Sequence, residues 1–155
     1  MIKVLFVCHG NICRSPIAEF VLKDKVDKLG ISEQFYIASA ATSTEEIWNG
    51  VGNPVYPPAR EVLAKHGISC EGKHAVQLKK EDYDKYDYLI AMDDANIRNI
   101  LRTVGADRDK KVKKLLAFAG SEDDIADPWY TGNFDDTYDD IVKGSEAFLL
   151  HMTEE

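Results

Sequence analysis

A chain of 155 residues, 45% hydrophobic and 30% charged, suits one domain that buries roughly two-thirds of its surface and is too short to suggest a second. Its net charge of −8 argues against nucleic acid or an anionic membrane as general partners. Three cysteines, an odd count, argue against a disulfide framework, and the longest apolar run near the N-terminus, Val4 to Cys8, is too short for a secretory segment or a membrane span; a cytoplasmic protein is expected.

In chain order, Val4-Leu5-Phe6-Val7 has the continuous apolar character of a buried parallel strand. It runs into Cys8-His9-Gly10-Asn11-Ile12-Cys13-Arg14-Ser15-Pro16, where Ser15 and Pro16 suit the N-cap and first position of a helix reaching Leu29, with Gly30 as its stop. Phe35 to Ala41 reads as a strand and Pro58 to His66 as a helix stopped by Gly67. Strands follow over Tyr86 to Met92 and Val112 to Phe118, separated by a helix from Ala95 to Val104, and a last helix covers Thr137 to Met152. Glu71-Gly72-Lys73 and Gly120 to Asp127 read as loops. Four strands with crossover helices predict an α/β fold: a single-domain, doubly wound sheet of four parallel strands flanked by helices on both faces. Ligands in such sheets bind beyond the carboxyl ends of the strands, and Cys8 lies at such an end.

The loop after the first strand carries the chemistry. Backbone N–H groups at a helix start, reinforced by the helix dipole, form a site for phosphate or another oxyanion, and the same field favours a thiolate at Cys8. Arg14, six positions on, can grip two phosphoryl oxygens through its planar fork. Transfer to Cys8 also needs a proton donor for the leaving oxygen. Asp127 is a candidate, although Asp-Pro also marks an ordinary turn. Asp93-Asp94, at a predicted helix start, reads as a cap and dipole partner rather than a metal site. Trp48, Trp129 and Tyr130 are either walls of an aryl pocket or ordinary core or surface aromatics.

The Cys8 to Pro16 loop, Trp48-Asn49, His66-Gly67-Ile68, Met92-Asp93 and Asp127-Pro128-Trp129-Tyr130, in order along nearly the whole chain, resemble the low-molecular-weight protein tyrosine phosphatases. The resemblance implies Cys8 as nucleophile, Arg14 as phosphoryl ligand and Asp127 as general acid and base, acting on phosphotyrosine proteins or aryl phosphates without metal or cofactor, in a monomer. It places His9 (through its backbone), Gly10, Asn11, Ile12, Cys13 and Ser15 around the phosphate, and Trp48, Asn49, Trp129 and Tyr130 around the ring. It implies that Asn11 braces the loop with Ser39 and with His66 or His74, that Ser15 donates to the Cys8 thiolate, and that Cys13 forms a reversible disulfide with Cys8. Ile12, where related arginine phosphatases carry threonine, favours an aryl phosphate. A thiol-dependent arsenate reductase of the same fold would need a pair of relay cysteines, and beyond Cys13 there is only Cys70, which reads as a structural thiol. A non-catalytic oxyanion-binding or redox-sensing module would need no acid such as Asp127. Two positions depart from the family pattern: Ala38 and Val76 stand where many members carry an Asp and an Arg, as if a buried ion pair had been replaced by apolar contacts. The loop Ser69 to His74 is about one residue longer, which leaves the register of His74 open.

Overall fold

The computed structural model describes residues 1–153. Its elements are β1 (Ile2–Cys8), α1 (Arg14–Lys28), β2 (Phe35–Ala41), β3 (Ile47–Trp48), β4 (Val51–Gly52), α2 (Pro57–Lys65), α3 (Asp82–Lys85), β5 (Tyr88–Ala91), α4 (Asp94–Val104), β6 (Val112–Lys114), α5 (Pro128–Thr131) and α6 (Phe134–Thr153). The main sheet has the order β2-β1-β5-β6 with every pair parallel. Chain connection runs from β1 outward to β2 on one side and later to β5 on the other. The carboxyl end of β1 is therefore the switch point at which an open α/β sheet forms its crevice.

Alternation along β1 shows why the sheet needs helices on both faces. Val4, Phe6 and Cys8 face the larger core with Ile17, Leu22, Leu63, Ile141 and Phe148, under α1, α2 and α6. Leu5 and Val7 face a second core with Tyr83, Ile100 and Val104, under α3 and α4. A strand buried on both sides must be apolar throughout, which is why the run from Val4 to Val7 carries no polar alternation. Gly30 and Gly67 stop α1 and the α2 turn in the left-handed conformation, with φ of +72° and +73°.

The structure departs from the sequence expectations in several places: β5 is shorter than Tyr86 to Met92 and α6 begins at Phe134 rather than Thr137. The strand expected over Val112 to Phe118 ends at Lys114, and Leu115–Ala119 forms a 3-10 turn instead. β6 pairs with Leu89 to Ala91 of β5 and no further, and the turn lets both Leu115 and Leu116 bury. Ser15 is not an N-cap: α1 begins at Arg14 with Cys13 at the cap position and no side-chain cap bond. Segment 47–52 forms a small hairpin, β3-β4, turning through Asn49 (φ 51°) and Gly50 (φ 77°), the positive-φ pair that a tight two-residue hairpin demands. Val76 is half-exposed rather than buried, so of the two apolar replacements only Ala38 packs on a core.

Candidate active site

Cys8 ends β1 and the chain turns immediately toward α1. Carbonyl groups along the turn are used on its outer side: Cys8 O accepts from Thr42 N–H, His9 O from Ser43 N–H and Ile12 O from Tyr56 N–H. Because a trans peptide sets its N–H opposite its C=O, fixing those carbonyls outward turns the following amides inward. Asn11 N–H already points at the Cys8 sulfur, 3.3 Å away.

Asn11 itself adopts φ 58°, a left-handed conformation that asparagine tolerates better than most side chains. Three side-chain hydrogen bonds hold it there. Its Oδ1 accepts from Val76 N–H (3.0 Å), and its Nδ2 donates to Ser15 Oγ (2.8 Å) and Ser39 Oγ (2.9 Å). Ser15 Oγ lies 3.0 Å from Cys8 Sγ. The expected brace of Asn11 and Ser39 is present.

Arg14, with its side chain only 4% exposed, is gripped on one side. Nη1 donates to Asp93 Oδ2 (2.7 Å) and to Ile125 O (2.8 Å), while Nη2 lies 3.6 Å from Asp127 Oδ2. Burial opposes its charge, but Cys8, Asp93 and Asp127 outweigh burial and its pKa is raised. Asp93 divides its two oxygens: Oδ2 takes Arg14, and Oδ1 caps α4 by accepting from Asn96 N–H at 2.7 Å. The capping role was legible in the sequence; the partnership with Arg14 was not, since it joins residues 79 apart.

The loop carrying Asp127 is pinned at three points. Ile125 N–H donates to Met92 O, Ile125 O accepts from Arg14, and Ala126 O accepts from Thr137 Oγ1 of α6. Asp127 Oδ1 then caps α5 by accepting from Trp129 N–H at 3.0 Å, leaving Oδ2 toward Arg14.

Cys8, His9, Gly10, Ile12, Cys13, Arg14, Asp127, Trp129 and Tyr130 line one cavity of about 390 Å³, with Glu45 and Glu46 completing its wall. A family model described as low molecular weight phosphotyrosine protein phosphatase matches residues 3–155. The chain belongs to the low-molecular-weight protein-tyrosine-phosphatase family. It is 39% identical to the Bacillus subtilis low molecular weight protein-tyrosine-phosphatase YfkJ over 100% of this chain and 98% of that one. The Mus musculus low molecular weight phosphotyrosine protein phosphatase is also 39% identical, over 95% of this chain and 93% of its own. The crystal structure of YfkJ superposes with a TM-score of 0.91 at 38% identity, covering 99% and 96% of the two chains. As a phosphatase of this family, the protein is a phosphoric monoester hydrolase, which is the reaction an anion cradle with a thiol at its base suits.

Trp48, Asn49 and His66 lie away from the places expected of them, whereas His9, Trp129 and Tyr130 line the cavity. Trp48 stands 80% exposed on the hairpin, and neither it nor Asn49 is among the cavity-lining residues; Glu45 and Glu46 occupy that wall. An Asn-Gly pair between short apolar segments was the signal for that hairpin turn. His66 stacks on Tyr138 with ring centroids 4.0 Å apart, at the α2 and α6 side, so it does not brace Asn11. His74 Nδ1 bonds Gly52 O (2.9 Å), tying the hairpin to the segment that carries Val76. The His9 ring turns to Glu45 Oε2 (3.0 Å), as expected of a side chain directed away from phosphate. Trp129 packs on Tyr56 at 4.8 Å between centroids, while Tyr130 stands exposed at the rim. Burial, then the fields of Cys8 and Asp127, push the Cys13 thiol up to about 12. Cys70 lies in the larger core, where burial raises its pKa as well.

Proposed function

We propose that this phosphatase hydrolyses phosphotyrosine and related aryl phosphates in two steps at Cys8. The Cys8 sulfur attacks phosphorus, the bond from phosphorus to the phenolic oxygen breaks, and Asp127 gives that oxygen its proton. Arg14 and the loop amides hold the equatorial oxygens as the group flattens. Water then attacks the phosphocysteine, loses its proton to Asp127, and the phosphorus–sulfur bond breaks to release phosphate and the thiolate. The observation that carries the reading is the meeting of Cys8, Arg14 and Asp127 in one cavity, with Asp127 Oδ2 3.6 Å from the Arg14 guanidinium. All three groups come from one chain, so a monomer suffices.

Trp129 and Tyr130 form the wall for an aromatic ring, which reaches deeper than a phosphoserine side chain. Cys13 lines the same cavity and is the proposed partner for a reversible disulfide with Cys8 that protects the thiolate from over-oxidation. The deciding experiment follows phosphate release, without added metal, from phosphotyrosine, phosphoserine and phosphoarginine peptides. Selective phosphotyrosine hydrolysis, abolished in Cys8→Ser and much reduced in Asp127→Asn, is expected; equal turnover of all three peptides, or full activity in Cys8→Ser, refutes the reading.

A further inference from the structure

Beneath the phosphate loop lies a polar cluster that no step of the reaction uses. Glu19 of α1 is 4% exposed, yet carries a carboxylate. Lys23 Nζ lies 2.6 Å from its Oε2, and the half-buried Lys73 Nζ 3.6 Å from its Oε1. Lys73 also donates to Ser39 O at 3.0 Å, anchoring the β2 backbone beside the same carboxylate. Burial, only partly offset by Glu19, lowers the Lys73 pKa from the ordinary lysine value. A buried ion pair is weak support for stability, so its presence directly under a reactive loop asks for another explanation.

We propose that Glu19 and Lys73, which do not touch the cavity, are positioning residues that fix the direction of the hydrogen bonds ending on Cys8. The argument counts protons. A carboxylate flanked by two ammonium groups only accepts, so Ser39 Oγ must donate its single proton to Glu19 Oε1, 2.5 Å away. Ser39 can then only accept from Asn11 Nδ2. At the other side of the amide, Val76 N–H is a backbone donor with no alternative role, which assigns Oδ1 and therefore both Nδ2 protons. The second of these goes to Ser15 Oγ. Ser15 is thus an acceptor toward Asn11, and its one proton is directed to Cys8 Sγ. The contact between Ser15 and Cys8, which either atom could donate on distance alone, is polarised in the sense that stabilises a thiolate. Lys73 keeps Glu19 an acceptor, because Lys23 is partly exposed and screened by solvent.

This inference rests on the reading of Cys8 as nucleophile, but it can be tested without turnover. The pH dependence of Cys8 alkylation by iodoacetate reports the thiolate directly, and p-nitrophenyl phosphate kinetics with thermal unfolding run alongside. In Glu19→Gln, which keeps the shape but offers a donor to Ser39, the alkylation profile and the acidic limb of kcat/KM are expected to move to higher pH by about half to one unit, a three- to tenfold loss of reactive thiolate below neutrality. Lys73→Met is expected to move both the same way by less, and Lys73→Arg to restore them. Alkylation and kcat/KM profiles that coincide with wild type in Glu19→Gln and Lys73→Met, whatever happens to Tm, overturn the proposal and leave the cluster a structural one. Should Glu19→Gln fail to fold, the comparison of Lys73→Met with Lys73→Arg decides by the same criterion. Full phosphatase activity in Cys8→Ser would instead sink the nucleophile reading, a result the alkylation profiles cannot produce.

Discussion

Replacing Arg14 by lysine keeps the charge and removes the fork, and so isolates geometry from electrostatics. Both protons of Nη1 are committed, to Asp93 at 2.7 Å and Ile125 O at 2.8 Å, which leaves the Nε and Nη2 edge for two phosphoryl oxygens. A lysine ammonium has one nitrogen to divide between Asp93 and the phosphoryl group. At least one charge-assisted bond in the transition state is then lost, about 1.5–3 kcal/mol, which is roughly 10- to 100-fold in kcat. Asp93 loses half of its support while still capping α4, with an expected cost of about 1 kcal/mol, or a Tm lower by roughly 2–4 °C. The assay is steady-state hydrolysis of p-nitrophenyl phosphate, with thermal unfolding confirming a folded variant. A kcat within threefold of wild type refutes the argument from the fork; an unchanged kcat with a tenfold higher KM would place Arg14 in substrate binding rather than in the transition state.

Asp127→Asn should reduce kcat about 10²- to 10⁴-fold for phenols that leave poorly and less for p-nitrophenol, a contrast that a leaving-group series reads directly. Cys13, with a pKa of about 12, should resist iodoacetamide at neutral pH, so mass spectrometry of the intact, briefly treated protein should show label on Cys8 alone. Because its proton is held more tightly in the fold than in the unfolded chain, the associated stability is complete below the ordinary thiol value of 9.0 and drains away as pH climbs toward 12. Urea midpoints between pH 8 and pH 11 should therefore fall, and Cys13→Ala should flatten part of the decline, the rest belonging to groups such as Tyr86 that burial also raises. Gly144→Ala would bring a Cβ within 2.5 Å of Leu115 Cγ, so the fully buried Leu115 side chain has to shift. Overpacking of about 1–3 kcal/mol against a helix-propensity gain of about 1 predicts a net loss, measurable as a lower Tm; a Tm at or above wild type would show that Leu115 has room to move.

Much of the sheet was legible because burial on both faces writes a plain message. Val4 to Val7 had to be apolar, Phe35 to Ala41 kept enough apolar residues to read as a strand at the sheet edge, and the crossover helices between strands had to leave a crevice at Cys8. Val112 to Phe118 misled because the apolar residues from Leu115 on read alike whether they continue the strand or turn into a 3-10 segment, and the pairing of β6 with β5 stops at Lys114. The hairpin of β3 and β4, two residues each, is too short to carry periodicity, and Trp48 beside its turn, which the residues alone leave open between pocket wall and surface aromatic, is the surface aromatic, with Glu45 and Glu46 lining the cavity. Cys8, Arg14 and Asp127 stood out through spacing and resemblance. Glu19 and Asp93 did not, because a helix-borne glutamate or a capping aspartate looks ordinary until the fold reveals which distant group it touches.

The loop bearing Asp127 is fastened to Met92 just past β5, to Arg14 and to α6, so the acid of the proposed mechanism stands in place before substrate arrives. On that reading, selection among substrates belongs to fit against the cavity walls. Under the proposed mechanism every substrate becomes the same phosphocysteine, so aryl esters whose phenol leaves faster than water attacks that intermediate should share one maximal velocity.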